Sequence, residues 1–145
     1  MAPLWYHCRR MTTIFSKIIN REIPGFFVHE DDFCVVIMDK YPAVEGQSMV
    51  IIKREIDYIF NLSDEEYNRL FLVAKAVAKA SDKVFGVDRS CLVVEGFEVP
   101  HVHIKIYPMP ATATNLGNVM CERVRAHDEN LAQQAEEIKA VLKLS

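Results

Sequence analysis

The chain has 145 residues, half of them hydrophobic, which suits one globular domain with enough apolar material for a core. Its formal charge of -3 gives no general affinity for nucleic-acid backbones or anionic membranes. No apolar run approaches the ~20 residues of a membrane-spanning helix, and the start, "MAPLWYHCRRMTT", carries neither a long apolar segment nor a small-residue cleavage site.

Residues 1–10 read as a flexible N-terminal extension, with the domain proper opening near Met11 and running to residue 110. In "IFSKIINREIPG", Ile14, Phe15, Ile18 and Ile19 recur at helical spacing until Pro24-Gly25 stops the chain. "FFVHED" and "FCVVIMD" predict two strands joined by a turn at Glu30-Asp31-Asp32. "KYPAVEG" is a loop and "QSMVIIK" a third strand. The clearest helix starts at "NLSDEEYNRL", where Ser63 and Glu66 form a capping box, and it ends at Gly86. Leu70, Val73, Val77, Ala80 and Val84 give it one apolar stripe. "SCLVVEG" and "HVHIKIYP" are the fourth and fifth strands. Residues 111–145 hold a linker and then an amphipathic helix with Leu131, Ala135, Ile138 and Leu142 on one face, which belongs to the same domain. The links between strands are mostly short enough for hairpins. The expected fold is therefore α+β: a five-stranded, mainly antiparallel sheet with a long central helix and a C-terminal helix.

Cys8, Cys34, Cys91 and Cys121 form no C-x-x-C pair, so a cysteine zinc knuckle is absent from the pattern. Cys34 and Cys91 lie inside apolar runs, as buried free cysteines do. This usage points to a reducing, cytoplasmic setting.

The stretch "EVPHVHIKIYP" concentrates the chemistry. Side chains alternate faces along a strand, so Val102, Ile104 and Ile106 point one way and His101, His103, Lys105 and Tyr107 the other, at about 7 Å intervals. Three readings compete. Polar residues belong on a solvated face of an edge strand. A metal site would need two further ligands, drawn from Glu55, Glu98, His29 or His127 by folding. A catalytic site would make His103 a nucleophile, with His101 and Lys105 on either side to favour an anionic electrophile such as a phosphate.

"PHVHIKIYP" resembles the signature of the histidine triad family of nucleotide hydrolases and transferases, in which three histidines alternate with apolar residues. "TIFSKIINREIPGFFVHEDD", "VVIMDKYPAVEGQSMVIIKRE", "LSDEEYNRL" and "EGFEVPHVH" are similar to further family segments in the family's order, over roughly residues 12–108. The resemblance implies that His103 attacks the α-phosphorus of a purine nucleotide derivative and forms a covalent nucleotidyl-histidine. It implies that the backbone carbonyl of His101 fixes the His103 tautomer. It places Asp39 on the ribose hydroxyls, with Ile14, Phe15, Ile18, Ile37 and Met49 around the base, and Gln47 joins the nucleotide-binding set. It further implies a homodimer joined edge to edge; no cofactor is expected, and the net charge gives no reason to expect a nucleic acid or a membrane as partner.

The departures bear on the chemistry. Lys105 stands in the third histidine position; it supplies fixed positive charge but is a poor proton shuttle at neutral pH. The alternative reading is therefore a nucleotide-binding protein with little or no turnover. Glu98 stands near the leaving group, as an acid or as a partner for Lys105. Thr13 and Ser16 occupy positions where some relatives carry zinc-binding cysteines, and Glu55 replaces a histidine. Glu55 and Lys105 are expected to be compensating changes, with the Glu55 carboxylate near His101 balancing the added cation.

Overall fold

The computed structural model describes residues 12–121 and 123–144, so the expectation for residues 1–10 lies outside the described part. In chain order the elements are α1 (Ile14–Ile19), β1 (Phe27–Glu30), β2 (Cys34–Met38), β3 (Ser48–Ile52), a 3-10 turn (Ile59–Asn61), α2 (Asp64–Phe85), β4 (Ser90–Val94), β5 (His103–Pro108), α3 (Leu116–Val119) and α4 (Asp128–Val141). The five strands form one sheet in the order β1-β2-β3-β5-β4, antiparallel throughout.

Both faces of this sheet are covered, which is why β2 and β3 read as unbroken apolar runs rather than alternating ones. One face, carrying Val36, Val50, Ile52, Ile104 and Ile106, packs under α2 and α4. The predicted stripe of α2 is the buried one, with Leu70, Val73, Val77 and Ala80 facing the sheet. Leu131, Ala135 and Ile138 of α4 enter the same core, so the tail helix closes its own sheet. The other face, carrying Val35, Ile37, Met49 and Ile51, packs under Phe15 and Ile18 of α1.

The helix ends follow local chemistry. The Ser63–Glu66 capping box is formed in full, and Gly86 ends α2 with a left-handed φ of 62°. Gly46 also has positive φ, 78°, and a Cβ there would enter the Phe85 ring. The loop between β2 and β3 is thereby seated against the end of α2. Two expectations need correction. The fifth strand begins at His103, because His101 lies in a bend after Pro100 and Val102 falls outside the strand. The strand is also internal, flanked by β3 and β4, so its polar row does not lie on an edge strand. The linker after β5 carries the short helix α3, capped by the Asn115 side chain.

Candidate active site

The row running from the bend into β5 is buried: His101 is 0% exposed, His103 3% and Lys105 6%. The reading of a solvated face is thus overturned. Three groups able to hold charge do not leave water without a structural reason, since unpaired burial of such groups is costly. Each of them has a partner.

The Nδ1 of His103 lies 2.7 Å from the backbone carbonyl of His101. A carbonyl only accepts, so Nδ1 carries the proton and Nε2 keeps its lone pair. His103 lines a cavity of about 370 Å³, within the range of small-molecule sites. Burial lowers its pKa most; the carbonyl of His101 opposes this, and Lys105 lowers it further. The neutral imidazole is therefore favoured at neutral pH.

His101 is held at both nitrogens. Its Nε2 donates to the carbonyl of Ile52 at 2.6 Å, so its Nδ1 accepts from the Thr13 hydroxyl at 2.7 Å. With both nitrogens engaged, His101 cannot also ligate a metal. The Phe15 ring meets both imidazoles edge-on, at 5.9 Å from His101 and 4.8 Å from His103. Among the described residues, His29, Asp31 and Cys34 form a group with ligand-like spacing, on the β1–β2 turn. There Asp31 is already bonded to the Phe33 and Cys34 amides and to Arg69.

The HIT domain model matches residues 20–111, more than half of the chain. The chain belongs to the HIT family. An uncharacterised HIT-like protein of Borreliella burgdorferi is 30% identical over 102 residues, covering 66% of this chain and 73% of that one. The adenosine 5′-monophosphoramidase of Saccharomyces cerevisiae is 31% identical over 96 residues, covering 66% of this chain and 61% of that one. A HIT-like protein of Bartonella henselae, solved with an unknown ligand, superposes with a TM-score of 0.77 at 28% identity, over 90% of this chain and 96% of that one. The HIT family supports a nucleotide-binding hydrolase or transferase in general terms.

Within the HIT frame, the sequence-predicted residues divide by zone. Ile14, Phe15, Ile18, Ile37 and Met49 line the apolar part of the cavity, and Asp39, His103, Lys105 and Glu98 line the polar part. Gln47 does not line it. Its amide donates to Asp39 Oδ2 at 2.6 Å and its carbonyl accepts from the Ala43 amide, while Asp39 Oδ1 accepts from the Tyr41 amide. Gln47 is 1% exposed and acts by orienting Asp39, a correction to its place in the nucleotide-binding set. Tyr107, at the end of the row, is also buried; burial and then the nearby Asp39 push its pKa up to about 12.

Lys105 pairs with Glu95, not with Glu98, at 2.6 Å. Glu98 instead takes Arg123 in a two-pronged pair, at 2.7 and 3.3 Å. The Arg123 guanidinium holds the Glu98 carboxyl below its ordinary range, with smaller help from Lys105 and His103. The proposed Glu55–Lys105 compensation is resolved differently. Ser16 donates to Glu55 at 2.6 Å, and Thr13 lies 3.3 Å from Ser16 and 2.7 Å from His101. Glu55 thus ends on the Ser16 hydroxyl, and Ser16 meets Thr13 through its backbone amide, while Glu95 balances the lysine. The sequence pattern singles out neither Glu95 nor Arg123, nor the meeting of Thr13, Ser16 and Glu55. The signal available for the last was that three departures from one family pattern occurred together.

Proposed function

We propose that this protein acts at the α-phosphorus of a purine nucleotide derivative, as a phosphohydrolase or nucleotidyl transferase, through a covalent nucleotidyl-histidine on His103. The observation that carries this reading is the Nδ1–H bond to the His101 carbonyl, which leaves Nε2 as a free nucleophile beside the cavity. The lone pair of Nε2 forms the N–P bond as the bond to the leaving group breaks, and that group departs with the electron pair, an amine taking up a proton from solvent as it leaves. Positive charge developing on the ring is shared through Nδ1–H with the carbonyl. Water then forms a P–O bond, the N–P bond breaks, and a proton is released to solvent. Lys105, at the phosphate side, stabilises negative charge on the phosphoryl oxygens. Asp39, oriented by Gln47, offers a carboxylate suited to a ribose diol. The apolar residues suit a purine ring without separating adenine from guanine.

A second reading is a nucleotide-binding protein with little or no turnover. It is favoured by the 2.6 Å Lys105–Glu95 pair, which engages the ammonium with a resident carboxylate rather than leaving it free for substrate. Intact-protein mass spectrometry after a seconds-long reaction with adenosine 5′-phosphoramidate separates the two. An AMP-sized adduct is expected on the unmodified protein and not on His103→Ala. Tight AMP binding without any adduct would select the second reading.

The remaining parts of the reading are a homodimer and a cytoplasmic setting. An edge-to-edge dimer is supported by β4, an outer strand whose Leu92 and Val94 stay partly exposed next to fully exposed Phe97. A reducing setting is supported by Cys34, Cys91 and Cys121, which are free thiols. Among the described residues, no helix is long and apolar enough to cross a membrane.

A further inference from the structure

We propose that Arg123 selects for nucleotide derivatives whose leaving group is itself anionic, with Glu98 as the resident stand-in that such a group displaces. This rests on the reading of His103 as the nucleophile, and concerns what leaves the phosphorus.

The cavity has two zones. One is apolar, built on Phe15, Ile18 and Met49; the other surrounds His103 with Lys105, Glu95, Glu98 and Arg123. The two cations of the second zone differ in kind. Lys105 is nearly buried, its side chain 8% exposed, and is committed to Glu95. Arg123 and Glu98 form an open pair, with side chains 47% and 59% exposed. Such exposed pairs hold weakly against water, so the partner exchanges readily. Guanidinium meets a phosphate with the same forked geometry it uses for a carboxylate.

The surroundings of Glu98 mark where a negative group sits. Arg123 contacts it directly in a two-pronged pair, and Lys105 and His103, which line the same cavity, act on it more weakly. A phosphate leaving the phosphorus on His103 would occupy that same field. Arg123 is also placed to make the exchange without losing its position. It lies on the segment between α3 and α4, which is tied by the Ala126 amide to the Lys40 carbonyl at 3.0 Å, beside Asp39. A neutral amine has no charge with which to displace Glu98. Arg123 therefore adds binding for phosphate as the departing group and little for ammonia.

The test compares kcat/KM for ADP, which would release phosphate, with that for adenosine 5′-phosphoramidate, which would release ammonia. In Arg123→Gln the ratio of the two is expected to fall about ten-fold, chiefly through KM for ADP, as for loss of one charge-assisted hydrogen bond. Arg123→Lys should recover part of it, and Glu98→Gln should raise the ratio. If the pair is only a clip for the C-terminal segment, Arg123→Gln and Glu98→Gln each shift both substrates alike and the ratio stays put, which overturns the proposal. A binding arm is independent of turnover. In a His103→Ala background, calorimetric affinity for ADP relative to AMP should fall about ten-fold when Arg123→Gln is added; an unchanged ratio also overturns it. Absence of any adduct on His103 with either substrate would instead remove the catalytic reading, leaving the binding arm to judge Arg123.

Discussion

At the scale of single residues, the decisive quantity is where one proton sits. His103 holds its proton on Nδ1 because a carbonyl faces that atom, and burial keeps a second proton off Nε2. Its pKa lies below the ordinary value of about 6.5, so the acid limb of the rate of adduct formation is expected below that pH. Lys105 is a smaller cause in the same direction, so Lys105→Gln should move the limb upward, toward about 6.5. A limb that moves down, measured by quenched adduct formation across pH, would refute this. The sign for stability follows from the same shift. The folded pKa values of His101 and His103 are both lowered, so on acidification the unfolded chain takes up these protons first. Their contribution to stability is intact above about pH 6.5 and declines as the pH falls from there toward the folded values. The shared face of His103 and Lys105 was legible from strand alternation, while His101 sits in the bend before the strand. The burial of this row was not, because covering residues come from α1 and β3, which are remote in sequence, as well as from the neighbouring β4. The choice of Glu95 over Glu98 for Lys105 likewise depends on how the loop before His101 bends, and spacing does not fix that.

At the scale of elements, α1 is six residues long and could not persist alone. It is held by packing of Phe15 and Ile18 on the sheet and by Thr13, which does two things at once. The Thr13 oxygen caps the helix by accepting from the Ser16 amide, and its proton goes to His101 Nδ1. Thr13→Val removes both and leaves a buried acceptor unpaired, with an expected loss of about 2–4 kcal/mol. Urea unfolding measures it; Thr13→Ser should retain most of the stability, and a loss below about 0.5 kcal/mol for the valine variant would contradict this account. The strong local signals were readable in advance: the capping box and stripe of α2, its glycine stop, and the apolar face of α4. The internal place of β5 was not. It pairs with β3 across the whole of α2, and no local pattern records which earlier strand a later one will join. Gln47 shows the same limit, since only the loop shape reveals that it supports Asp39 from behind.

At the scale of the whole molecule, the sheet has two outer strands of different character. At β1 the Arg21–Glu30 and Lys53–Glu30 pairs place charge along the edge. At β4 the apolar side chains Leu92 and Val94 stand partly exposed, with Phe97 94% exposed. Charged edges resist pairing and apolar ones invite it. Light scattering at micromolar concentration is expected to give twice the chain mass, and Val94→Lys to shift it toward the single chain. A single-chain mass for the unsubstituted protein would remove the dimer from the reading.

The packing of α4 has a consequence for how the chain is made. Leu131, Ala135 and Ile138 cover the same core as Val28 and Cys34 of the first two strands. On the ribosome those strands emerge early, yet their cover arrives last. At about 5–20 residues per second, several seconds pass before α4 follows. During that interval the nascent sheet shows an uncovered apolar face, the kind of surface that chaperones hold and proteases read. A chain cut short of α4 keeps that face for good, so premature termination near the end should remove the protein from the cell even though every residue around His103 has been synthesised.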